Sequence, residues 1–225
     1  MKLVAFDIET LGLLDEEPLP EITCVCLHDG ERDYAFRIWQ LPDAERAAHV
    51  EAVQALLDAA DRILGYNAVL FDLEFLRRAW GVPQARMLAW VLKCVDPFLH
   101  VRDVLACPCR FQCLLDLNGL SSKTGSGSSA IALARAGAWD ALLAYCVQDA
   151  RLTYALCVLP WTRLTPGLDC SLLACPPAYR LHKKTGGEAT EATPKALPKA
   201  PWSEAWAPLP PTDAFATVVV EDDEK

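Results

Sequence analysis

Three short stretches of the chain put acidic side chains where they could do chemistry. The first is Phe6-Asp7-Ile8-Glu9-Thr10, at the end of an apolar run. Residues two apart on an extended chain share a face, so Asp7 and Glu9 project together. Burying two like charges side by side is costly unless a cation lies between them; alternatively, the pair marks an exposed strand end. The second is Gly65-Tyr66-Asn67-Ala68-Val69-Leu70-Phe71-Asp72, where Asp72 stands near the start of an expected helix. A carboxylate is favoured there by the helix dipole, so Asp72 could also be a helix cap and nothing more. The third is Tyr145-Cys146-Val147-Gln148-Asp149. Four residues apart on a helix, Tyr145 and Asp149 share one face, the alternative being an exposed Asp beside a half-buried Tyr. Taken together, Asp7, Glu9, Asp72 and Asp149 are the hard oxygen donors that Mg2+ or Mn2+ accepts beside phosphate oxygens. Such a set suits phosphodiester hydrolysis with two ions roughly 3.5–4 Å apart, and Tyr145 would position the attacking water through its phenol.

The elements that must hold these residues follow from periodicity and punctuation. Lys2–Glu9, Glu21–Leu27 and Tyr34–Trp39 read as three strands joined by turns. Asp43–Ala60 carries apolar residues at helical spacing behind Pro42. Arg62–Tyr66 reads as a fourth strand and Phe71–Trp80 as a helix stopped by Gly81 and Pro83; Leu88–Asp96 suits either a helix end or a fifth strand. Cys- and Gly-rich stretches that read as irregular follow, and then Trp139–Leu159 forms one long amphipathic helix ending at Pro160. Strands first, then strands alternating with helices, give an α/β fold: a mixed sheet flanked by helices.

Length and composition narrow the classes further. With 225 residues, 52% of them hydrophobic and 23% charged, the chain can bury a sizeable core without staples, which excludes mini-protein, fibrous and wholly disordered classes. The net charge of -9 argues against a basic-patch nucleic-acid binder. Residues 1–165 hold 21 acids against 15 bases, and four of those acids are the candidate ligands, so the acidity is partly the signature of a metal site. No apolar run approaches a membrane span, and Asp7 and Glu9 interrupt the start where a signal peptide needs apolar residues. The expected compartment is therefore cytosol or nucleus, with no membrane partner. The ten Cys read as buried thiols rather than bridges. Cys107, Cys109 and Cys113 form a tight group, but it lacks the paired spacing of a zinc site. Nine of the 16 Pro lie from Pro166 onward, so residues 1–163 read as the domain. Residues 164–225 read as a Pro-rich, acidic, largely disordered tail carrying Trp202 and Trp206.

The motifs FDIET, GYNAVLFD and YCVQDA resemble, in order and context, the three motifs of the DEDD 3'-5' exonucleases of ribonuclease H-like fold. They are most similar to the proofreading exonuclease domain of B-family DNA polymerases, over about Met1 to Pro160. The resemblance implies Asp7, Glu9, Asp72 and Asp149 as ligands of two Mg2+ or Mn2+ ions and Tyr145 as the residue orienting water. The branch with His five residues before the last Asp is excluded by Ala144; Tyr145, four before, fits the Tyr-bearing branch. Thr10, Asn67 and Phe71 fall where family members contact terminal nucleotides, although each also has a purely local explanation: strand end, turn and core. Lys123, in a Gly/Ser-rich stretch, could bring an ammonium to phosphate, with a plain connector the favoured alternative. The implied reaction is removal of 3'-terminal nucleotides from single-stranded DNA, with RNA trimming and a non-catalytic adaptor as the alternatives. A replication or repair partner could be recruited through the tail.

Overall fold

The computed structural model describes residues 1–105, 109–125, 127–165 and 168–174. Its centre is the apolar run read first in the sequence. Strand β1 (Leu3–Thr10) pairs antiparallel with β2 (Ile22–His28), which pairs antiparallel with β3 (Asp33–Arg37). On its other edge β1 pairs in parallel with β4 (Arg62–Leu64), and β4 with β5 (Cys94–Val95), giving the order β3-β2-β1-β4-β5. The five strands form the expected mixed sheet.

Alternation along β1 sorts its side chains into two layers. Phe6 and Ile8, with Val25 and Leu27 of β2, enter the main core, which Val53 and Leu57 of α1 (Asp43–Ala59) and Leu73, Phe75 and Leu76 of α2 (Asp72–Trp80) also enter. Helix α3 (Gln84–Leu92) adds Trp90, fully buried, whose indole N–H donates to Asp58 at 2.7 Å. The opposite layer carries Asp7 and Glu9, which stand directly across from Cys26 and Cys24 of β2. Over these lies the long helix α7 (Trp139–Cys157).

Three findings differ from the sequence expectations. Leu88–Asp96 is both alternatives in turn: α3 runs to Leu92 and β5 begins at Cys94. The stretch read as irregular contains three short helices, α4 (Pro97–Leu105), α5 (Phe111–Leu117) and α6 (Gly127–Arg135). The packed chain also continues past residue 163. Strands β6 (Thr162–Thr165) and β7 (Leu168–Cys170) form a hairpin, and Leu164 and Leu172 are buried in the core because each presents an apolar side chain to it. The proposed tail from residue 175 onward, with Trp202 and Trp206, lies outside the described residues. Among those described, no helix is long and apolar enough to cross a membrane.

One buried acid not singled out from sequence ties the architecture together. Asp96, fully buried between β5 and α4, accepts hydrogen bonds from the backbone N–H groups of Asn67 (2.9 Å), Val69 (3.1 Å), Phe98 (3.1 Å) and Leu99 (3.4 Å). It thereby caps α4 and pins the loop after β4, two jobs for one carboxylate. Its complete burial pushes the carboxyl up to about 6, against the lowering effect of those N–H groups and of nearby His100. A raised carboxyl binds its proton more tightly folded than unfolded, so its contribution favours folding below about pH 4 and is lost as pH rises to about 6. Asp96→Asn should flatten the stability profile in that window. Urea unfolding at a series of pH values checks this, an unchanged slope being the opposite result.

Candidate active site

The site forms at the carboxyl end of β1, where open α/β sheets present ligand sites. Asp7 and Glu9 share the face under α7 and are both buried, and the ligand atoms of Asp7, Glu9 and Cys146 lie within 4.8 Å of one another. Parallel pairing with β4 covers only Leu3–Ala5. Beyond it, the Ile8 backbone N–H donates to Asp72 Oδ1 at 3.1 Å, which fixes the Asp72 carboxylate against the residue between the two strand acids. Asp72 is the first residue of α2 and 1% exposed, far more buried than a mere solvent-facing cap.

Helix α7 brings the third motif over the strand. Asp149 is 3% exposed and Tyr145 is likewise buried. The Tyr145 hydroxyl donates to the Asp149 carboxylate, and burial, followed by the charges of Asp149, Glu9 and Asp7, drives its pKa well above the ordinary phenol value. The phenol thus faces three of the four acids and keeps its proton. The surface alternatives for the third motif do not describe this geometry: both side chains turn inward.

Lys123 brings a cation to Asp149. Its Nζ lies 2.8 Å from Asp149 Oδ2, with both side chains largely buried, and 5.6 Å from the Tyr145 ring centre. The Gly/Ser-rich segment is therefore no plain connector. The Lys123 backbone N–H donates to Gln112 Oε1 at 2.9 Å, and Thr124 Oγ1 bonds Gln148 Oε1 at 2.5 Å. Gly125 comes so close to α7 that an added Cβ would lie 3.3 Å from the Tyr145 ring. The sequence understated this segment because its partners are distant in the chain: Gln112 lies eleven positions before Lys123, and Tyr145, Gln148 and Asp149 lie on α7.

The remaining sequence candidates are Thr10, Asn67 and Phe71. Thr10 is buried after a register shift in β1, and its hydroxyl donates to the Gly12 carbonyl at 2.7 Å. Asn67 sits at φ 58°, a left-handed conformation that Asn tolerates better than most residues. Its backbone is held by Asp96, and its buried carboxamide oxygen has no protein partner. Phe71 is half-buried, its ring 5.3 Å from that of Phe75, so one side belongs to the core. The group read as a possible cluster from spacing, Cys107, Cys109 and Cys113, is different from what was expected: Cys109 is half-buried, Cys113 is exposed, and Cys107 lies outside the described residues.

A family model described as RNase_H superfamily matches residues 4–115. The chain belongs to the ribonuclease H superfamily. Among solved structures, this superfamily member is similar to the family B DNA polymerase of the hyperthermophilic archaeon Pyrobaculum calidifontis, at 18% identity and a TM-score of 0.53 over 71% of this chain and 25% of that one. It is also similar to Trypanosoma brucei RNase D (16%, TM-score 0.47, 68% and 55%) and to ExoI in an ExoI/SSB-Ct complex (21%, TM-score 0.41, 69% and 43%). The chain thus spans a quarter to just over half of these proteins' length, and at these identities the likeness is one of fold. No curated protein matches the chain in sequence.

The donor set itself fits hard divalent ions. Asp7, Glu9, Asp72 and Asp149 are all buried, and the Lys123 ammonium pairs with Asp149, an excess of negative charge that a metal relieves. Replacing one acid by its amide should therefore relieve repulsion in the metal-free protein while weakening metal binding. In chelator, Glu9→Gln is expected to be more stable than the parent by about 1–4 kcal/mol, the span for two unit charges ~4 Å apart between water and a protein surface. On adding Mn2+ the parent should gain melting temperature and the variant little. Scanning calorimetry with and without Mn2+ checks both signs, and an equal gain in the two proteins contradicts the assignment.

Proposed function

We propose that the protein is a metal-dependent 3'-5' exonuclease that removes terminal nucleotides from single-stranded DNA. The observation that carries this reading is the burial of Asp7, Glu9, Asp72 and Asp149 at one strand end, with Tyr145 and Lys123 turned onto them. Asp7, Glu9, Asp72 and Asp149 would hold two Mg2+ or Mn2+ ions, whose chemistry is to activate water and neutralise charge on the leaving oxygen.

The chain's own groups supply positioning and proton control. With its pKa held above the ordinary phenol range, Tyr145 orients water by donating or accepting a hydrogen bond; it does not act as an anionic base. Lys123, beside Asp149 in the protein alone, can turn its ammonium to a phosphate oxygen when the acids are otherwise neutralised. Asn67 offers an unspent carboxamide oxygen to a terminal sugar or base edge, and the half-buried Phe71 offers an aromatic ring for stacking, a grip that tolerates any sequence. Thr10, whose proton is engaged by Gly12, can still accept a hydrogen bond at the same end.

Preference for DNA over RNA rests on the likeness of the three motifs to the polymerase-linked branch. The four acids with Tyr145 favour an enzyme over a non-catalytic adaptor, because an adaptor has no need to keep such a set of buried charges. A 5'-labelled single strand in Mg2+ or Mn2+ should shorten as a ladder from its 3' end, with Asp7→Ala or Asp149→Ala inactive. Tyr145→Phe should slow it by about 10–1000-fold without abolishing it. Activity surviving either Asp substitution refutes the reading, and faster loss of a matched RNA strand reverses the substrate preference.

A further inference from the structure

Beside the acids lies a second donor cluster that the hydrolytic reading does not use. Cys24 and Cys26 occupy the β2 positions opposite Glu9 and Asp7, and Cys146 descends onto them from α7 between Tyr145 and Asp149. All three side chains are fully buried, and their sulfurs lie within 4.8 Å of one another. Three sulfurs held around one soft ion at about 2.3 Å each would stand roughly 3.8–4.0 Å apart, so the spacing needs only a small contraction. Cys146 is the hinge between two chemistries, its Sγ lying 3.5 Å from Asp7 Oδ2.

We propose that Cys24, Cys26 and Cys146 form a three-thiolate site for a thiophilic d10 ion, Zn2+ in the first instance. Soft sulfur donors select such ions, whereas the neighbouring carboxylates select Mg2+ or Mn2+, so one layer of the molecule sorts cations by donor type. The thiol protons are released as the ion binds. The rival explanation, small apolar filler, accounts for burial but predicts no metal affinity.

The test uses the full chain, reduced and metal-free, carrying Cys107→Ser, Cys109→Ser and Cys113→Ser to remove the other close-spaced Cys group. Titration with Cd2+ should produce the ultraviolet thiolate-to-cadmium band, saturating at about one equivalent, and X-ray absorption of the zinc-loaded protein should count three sulfurs at about 2.3 Å. Adding Cys146→Ser should lower the sulfur count while circular dichroism reports whether the fold persists. If that variant unfolds, the count in its folded parent still decides. No saturable band, or two sulfurs or fewer in the folded parent, overturns the proposal, as does an unchanged count in folded Cys146→Ser.

Discussion

Four carboxylates buried at one end of one strand set the terms for the rest of the molecule. Such a cluster repels itself, and exposure to water would be the cheaper arrangement for each member. The fold prevents it. β1 is the central strand, walled by β2 on one edge and by β4 over its first half on the other, and α7 closes the layer above Asp7 and Glu9. Where β4 stops, Asp72 takes the Ile8 amide, so even the exposed backbone edge of β1 serves to position an acid. Lys123 offsets part of the charge on Asp149, leaving a surplus that suits divalent ions.

What the sequence revealed and what it hid divide along physical lines. The β1 pair, the Asp72 helix start and the α7 pair were readable because each depends on local periodicity, two for the strand and four for the helix turn. Short α4, α5 and α6 were not, since seven to nine residues span too few turns for a helical period to stand out, and α6 adds Gly and Ser that weaken propensity. Asp96 had a local signal, an Asp directly before Pro at a helix start, yet its more important partners, Asn67 and Val69, lie nearly thirty residues earlier. The same holds for the hairpin beyond residue 163, whose value to the fold depends on Leu164 and Leu172 reaching a core assembled from distant segments.

The cysteines make the sharpest contrast. Spacing along the chain drew attention to Cys107, Cys109 and Cys113, whereas the fold gathers Cys24, Cys26 and Cys146. That grouping follows from the antiparallel register Asp7↔Cys26 and Glu9↔Cys24 together with the docking of α7, and neither is written in any one segment. Side by side, oxygen donors and sulfur donors occupy a single layer under one helix, with Cys146 touching both sets.

The central claim is that the four acids form one cation site. Crystals of the protein soaked in Mn2+ and measured at the manganese absorption edge test it directly. The account predicts two anomalous peaks about 3.5–4 Å apart, bounded by the carboxylates of Asp7, Glu9, Asp72 and Asp149. Ordered manganese elsewhere on the molecule, with no peak among these four side chains, would contradict it.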